Sequence, residues 1–390
     1  MELIVFLKPI FDMLWKFKIL DIMIMSLVYL VTPMYLLKNK YKIEFIDLLF
    51  IFLITLFTLS FLKKADSASF KDYIKIISNL YMFFIGKMIL NRDEKDKFLI
   101  ISFSVVAFVN LIYLLTGIGF TYWGDSKTFR GIYFFKTDLA LAILQSIIFI
   151  RLMKYSKSEK LKTISNIYIF LISPILIFLS NSRMYLLLYF IVIYLILNEN
   201  AEKKGRKTYR YDLKFFLKIG IIFICLIFLY STITSKIPWF REQNLLGFKI
   251  EKFSDLFNES NSQGRNVIWS KVIHVFNSSS IIDKFTGVDL VSDRVLHNGS
   301  YYDSHNNYIK ILFTTGYLGG ITCLIILVDT MKKLNSLTDL KFKYTCLILL
   351  TVYVVSSISY PSIIYTQQSW IIFLYIGMLN NNVQRSKNDE

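Results

Sequence analysis

Apolar runs of roughly 18 residues, the length that crosses the hydrocarbon core of a bilayer, recur along most of this chain. They fall at residues 19–37, 43–62, 73–90, 98–116, 138–153, 163–180, 184–197, 215–234, 307–328, 344–359 and 363–379, with short polar turns between most of them. An earlier stretch, residues 3–15, is apolar but short and is interrupted by Lys8-Pro9, so it reads as a short first span or an interfacial helix. The pattern predicts an all-α polytopic membrane protein with about 11–12 transmembrane helices. Residues 73–90 carry Lys75 and Lys87 near their ends, which suggests a tilted span or snorkelling lysines.

One interruption is much longer than the rest. Residues 235–306 are polar and divide the chain into N-terminal spans (1–234), a large loop (235–306) and C-terminal spans with a short tail (307–390). The loop holds all three histidines, His274, His297 and His305. A long polar excursion in a membrane protein usually covers something. After Gly264-Arg265 the loop turns periodic: Ile268, Val272 and Phe276 recur one turn apart, with Trp269 and Ile273 beside them. That is an amphipathic helix, expected on the membrane surface or against span ends.

Composition agrees with the pattern. Of 390 residues 55% are hydrophobic, above the usual share of soluble domains, and 17% are aromatic. The net charge of +17 would point to nucleic acid in a soluble protein. Here Lys and Arg crowd the short linkers 151–162, 198–214 and 331–343, so the positive-inside rule explains the charge and nucleic acid is not an expected partner. Those linkers are assigned to the cytoplasm. Alternation then places 117–137, 180–183, 235–306 and 360–362 outside, together with Lys63, Lys64 and Lys71, which break the rule mildly. Cys225, Cys323 and Cys346 lie in apolar runs without metal-ligand spacing and read as small hydrophobes. The opening residues lack a basic leader and a small-residue cleavage site, so no cleavable signal peptide is expected.

Four polar features share the external side. Arg130-Gly131 precedes Asp138, which reads as a dipole-matched cap of the next span; Arg130 is either a ligand-facing cation or a solvated charge. Ser182-Arg183 forms a tight turn at a span lip, where an Arg either snorkels to headgroups or faces phosphate. Arg265 opens the amphipathic helix, and a cation against the helix dipole suggests a partner anion, either a ligand or a structural carboxylate. Asp303-Ser304-His305-Asn306-Asn307-Tyr308 leads into a span that Ser304 or Asp303 can cap. There the positive end of the dipole favours neutral imidazole, as a general base requires, although a hydrogen-bonded structural role also fits His305. His274 and His297 read as solvated. Walker-type loops, cytoplasmic D-x-D pairs, zinc or iron ligand spacings and G-x-S-x-G are all missing from the sequence. No metal or cofactor is expected.

The order of these features resembles the O-antigen polymerase and ligase superfamily of bacterial membrane proteins, from about Phe129 to Gly320. The matching elements are Arg130-Gly131, Ser182-Arg183, Gly264-Arg265 with Trp269, Gly287-Val288-Asp289, His305-Asn306 with Tyr308, and Gly316-Tyr317-Leu318-Gly319. Asp289 stands where a second Gly is usual, and Lys136-Thr137-Asp138 where many members have Pro-Asn. The resemblance implies a GT-C-like fold with one large extracytoplasmic loop containing short helices, in the bacterial inner membrane. It implies a metal-independent, inverting glycosyltransferase that moves a glycan from polyprenyl diphosphate to a sugar hydroxyl of a lipid-linked repeat unit. His305 would act as base, and Arg130, Arg183, Arg265, Asn306 and Tyr308 would bind substrate. Membrane lipid and a chain-length regulator protein are the further partners expected. A ligase using lipid A core as acceptor, and a lipid-glycan flippase or transporter, stay open as alternatives.

Overall fold

The computed structural model describes residues 2–14, 18–38, 43–89, 92–123, 126–205, 221, 225, 265–297 and 300–388. The chain runs α1 (Glu2–Met13), α2 (Lys18–Lys38), α3 (Phe45–Lys63), α4 (Ser67–Met88) and α5 (Arg92–Thr116). A hairpin follows, β1 (Phe120–Trp123) with β2 (Ser126–Phe129). Next come α6 (Lys136–Ile150), α7 (Glu159–Ile167), α8 (Ser173–Leu179) and α9 (Arg183–Lys203). The loop contributes α10 (Arg265–Ser278), α11 (Ile281–Thr286) and a second hairpin, β3 (Val295–His297) with β4 (Ser300–Tyr302). The described residues end with α12 (Asn307–Ser336), α13 (Leu340–Ser356) and α14 (Thr366–Asn388). The expected span at 215–234 and loop residues 235–264 lie outside the described residues, apart from 221 and 225.

Among the described residues, five helical stretches are long and apolar enough to cross a membrane: Phe45–Lys63, Asp96–Thr116, Glu159–Leu179, Arg183–Lys203 and Asn307–Ser336. Their outward faces carry large apolar side chains such as Leu48, Leu62, Phe108, Phe170 and Leu324. Apolar surface of that extent needs a nonpolar surrounding, and the protein is an α-helical membrane protein. The stretch Glu159–Leu179 stays continuous through a π turn, Tyr168–Ile172, just ahead of Pro174. Such a turn accommodates a proline that cannot donate to the helix ladder. Helix α1 has 12 residues, roughly 18 Å, too short to cross. Its Lys8 and Asp12 form a buried pair at 2.6 Å.

The chain divides into two compact units. The first comprises the described residues of Met1–Ile24, Leu90–Ile250 and Leu337–Val352. Its centre is α6, mostly apolar, with residues 138–150 all buried. Helices α5, α8 and α9 pack on it, and Phe103 stacks on Phe149 at 4.8 Å. Beyond α6 the expected basic linker turns inward. Arg151, fully buried, donates to Glu199 at 2.5 Å and to Thr345 at 2.6 Å. Lys343 and Tyr344 both donate to Glu202 at 2.8 Å.

The second unit comprises the described residues of Met25–Ile89, Glu251–Ser336 and Tyr353–Glu390. Its most extensive helix pair is α4 on α14. An added Cβ at Gly86 would overlap the Leu374 carbonyl, and one at Gly377 the Phe83 carbonyl. Two glycines thus bring the helix backbones into contact, as small residues do between membrane helices. Lys87 does not snorkel: its ammonium lies 2.9 Å from the fully buried Asp47 and 3.1 Å from Glu44.

Candidate functional site

The described part of the loop is built around a break in α12. Gly316 has φ +65° and ψ −165°, so two helical segments meet there instead of one unbroken helix over 307–328. An added Cβ at Gly316 would overlap the backbone of Phe285, and one at Gly287, φ +92°, would overlap the Thr314 carbonyl. The Val288 amide donates to the Phe313 carbonyl at 2.8 Å. The two glycine elements of the sequence therefore serve one purpose: they let the end of α11 enter the break.

Helix α10 keeps the expected periodicity and buries it. Ile268, Val272 and Phe276 close on Phe313 of α12, so the helix packs on the head of α12 with its apolar stripe inward. Trp269 Nε1 donates to the Ser304 carbonyl at 2.7 Å, tying α10 to the histidine turn. Arg265 is the first residue of α10 and is half-buried.

The histidine turn is closed by its own side chains. Asp303 Oδ1 accepts the His305 amide at 3.0 Å, an Asx-type turn. The same oxygen lies 3.0 Å from His305 Nδ1. His305 takes φ +43°, a left-handed conformation uncommon outside glycine. Its side chain is 35% exposed. A proton on Nδ1 directed at this carboxylate would make Nε2 the accepting nitrogen. Asn306, rather than Ser304 or Asp303, caps α12: its Oδ1 accepts the amides of Tyr308 at 2.9 Å and Ile309 at 3.1 Å. Its Nδ2 donates to Ile358 O at 3.0 Å. That side chain is committed to the fold, whereas Tyr308 keeps an exposed ring and donates its hydroxyl to Val354 O at 2.6 Å.

One turn further on, Lys310 is fully buried. It donates to Asp293 Oδ1 at 2.6 Å and to Leu290 O at 2.5 Å, and Asp293 is equally buried. Asp289 closes the adjacent turn by accepting the amides of Val291 and Ser292 at 2.8 and 2.7 Å. The loop is also fastened to the end of α3 and the first turns of α4. Lys63 lies 2.6 Å from Asp283 and also donates to Gly287 O; Arg294 lies 2.8 Å from Asp72. Lys63 and the Ser280 hydroxyl hold the Asp283 carboxyl below the usual range. The positive charge of Lys63, irregular by the sidedness rule, thus has local employment as a clamp on the loop.

Arg130 and Arg183 belong to the first unit. Arg130 donates to Phe134 O at 3.3 Å. Gly131, φ +56°, sits so close to Asn110 that a Cβ would overlap its side chain, which is why glycine follows the arginine. Arg183 opens α9 directly after Ser182, whose hydroxyl caps nothing. Burial and then the nearby Arg183 charge push Lys136 below the usual lysine range. Asp138 is not the cap of α6: Phe135 holds that position and Asp138 lies in the first turn, where a carboxylate still matches the dipole. Burial, reinforced by Asp12 and Asp138, pushes the Tyr133 phenol well up.

Of the histidines, His274 is exposed on α10, and His297 lies in β3. The residues missed by sequence reasoning are Asp293, Asp303 as imidazole partner, and Lys310. Among the described residues no trio of His, Cys, Asp or Glu is placed to hold a metal. Compared with models of known protein families the chain matches none, and comparison with curated proteins likewise finds no match.

Proposed function

We propose that this protein is a glycan polymerase of the bacterial inner membrane, extending a lipid-linked surface polysaccharide on its external face. The observation that carries the reading is the Asp303–His305 pair at the head of a membrane-spanning helix. The acceptor hydroxyl oxygen attacks the anomeric carbon, its proton passes to His305 Nε2, and the bond to the diphosphate breaks on the opposite face, inverting the centre. Arg265, in the same unit, stabilises charge on the departing diphosphate. Arg130 and Arg183 take that assignment from the order of motifs alone. Tyr308 offers its ring as a sugar-facing surface. Asn306 acts on this chemistry only by fixing the turn.

The break at Gly316 is the one observation that speaks for a transporter, because discontinuous helices line transporter sites. Here the break is filled by α11, which favours a fixed scaffold over a transport path.

The test is incubation of purified full-length protein with a lipid-linked repeat unit, with and without lipid A core. A ladder of lipid-linked polymer, lost in His305→Ala, is expected. Transfer to core alone would make the protein a ligase, and no transfer at all would remove the enzymatic reading.

A further inference from the structure

Helix α11 is six residues long and turns its apolar side chains away from the protein. Ile281 and Ile282 are 75% and 72% exposed, and Phe285, one turn on, is 49% exposed. They share one face, whereas Asp283 on the other meets Lys63. The end of a span fixes the level at which this helix sits. Lys63 is the last residue of α3, and its ammonium reaches Asp283, Thr286 and the Gly287 carbonyl. Beyond Gly316, which receives the backbone of Phe285, α12 stays apolar through residues 317–328, about 18 Å of helix, before Asp329 and Lys332. The end of the α3 span therefore places α11 near a membrane boundary.

The exposed face is also continuous with a span. Phe285 meets the ring of Tyr317 edge-on at 5.9 Å. From Tyr317 the exposed residues Ile321, Leu324 and Val328 run down one side of α12 at helical spacing. That stripe faces acyl chains wherever α12 spans, and Ile281, Ile282 and Phe285 extend it past the break.

We infer that α11 is a membrane-dipping helix, with Ile281, Ile282 and Phe285 inserted among the acyl chains of the leaflet on the loop side. This does not depend on the enzymatic reading.

The test uses full-length protein in phosphatidylcholine vesicles, with tryptophan placed at Ile282 or, as a second probe on the same face, at Ile281. The fluorescence of the unsubstituted protein is subtracted. Lipids brominated near the top of the acyl chain should quench the added fluorescence of Ile282→Trp and Ile281→Trp by more than about half, and aqueous iodide should quench it little. Asn277→Trp, exposed on α10, should show the reverse. Quenching of both α11 probes by iodide alone overturns the inference, because the face then meets water. Protection from both quenchers also overturns it, because protein, a second copy of this chain included, then covers the face.

Discussion

Lys310 Nζ lies 2.6 Å from Asp293 Oδ1 with both side chains fully buried, so the helix that carries the histidine turn is locked to the loop by a solvent-free ion pair. Removing one partner leaves a buried charge uncompensated, at a cost of roughly 3–5 kcal/mol. Lys310→Met should therefore unfold at a markedly lower temperature in detergent. The double variant Asp293→Leu with Lys310→Met should recover most of the loss. Equal destabilisation of the single and double variants would show that packing, not charge pairing, holds the loop.

The left-handed backbone of His305 allows a catalytic role to be separated from a structural one. His305→Gly relieves the strain at φ +43° and should accumulate at least as well as the parent. Both His305→Gly and His305→Ala should lose roughly 10²–10⁴ in polymerisation rate. His274→Ala and His297→Ala should stay active. Polymer length assayed at equal membrane abundance makes the comparison, and normal polymer from His305→Gly would return the residue to a structural role.

Gly316 and Gly320 form a matched pair of controls. Gly316→Ala places a Cβ on the Phe285 backbone at a positive φ, whereas a Cβ at Gly320 meets nothing within 4 Å. Gly316→Ala should release α11 and speed proteolysis between residues 279 and 306 in native membranes. Gly320→Ala should be silent or slightly stabilising.

Lys154 sits beside Arg151 at the end of α6, where burial and then that guanidinium lower its pKa from 10.5 to about 8. Between those two values the unfolded chain binds the extra proton, so this group makes stability rise with pH from about 8 to about 10.5. Lys154→Met should flatten that rise, because Glu199 keeps Arg151 as partner. Melting temperatures across the window, compared with the parent, check the sign.

Sidedness is testable by cysteine labelling. An impermeant reagent applied outside should mark Ser279→Cys and leave Lys204→Cys unmarked, as the basic linkers require. The opposite pattern would turn the histidine turn to the cytoplasm and end the proposal of an external glycan polymerase.

The apolar runs made the helices legible because span length and hydropathy are properties of the segment itself. The break at Gly316 was not legible. Its neighbours Phe313, Thr314, Leu318 and Ile321 are compatible with one continuous helix, and the break exists because Phe285, some thirty positions earlier, occupies it. Lys310 reads as an ordinary charge near a span end, since Asp293 carries no periodic signal that pairs it with a helix residue. The β3–β4 hairpin has a local sign in the sequence: Asn298-Gly299 falls between its two strands, and that dipeptide favours two-residue hairpin turns. At the candidate site the histidine was visible by type and place. Its carboxylate partner reads only as a cap, because an Asx turn and an Asp–His contact look alike in sequence.

The break in α12 also acts as a gauge of height. Residues 307–315 are all that stand between that break and the start of the helix beside the His305 turn, about 14 Å at 1.5 Å per residue. A group working at that elevation meets the portion of a lipid-borne molecule nearest its anchor and misses anything at the far tip of a long chain. Growth would then occur at the anchored end, each new unit entering beneath those already joined.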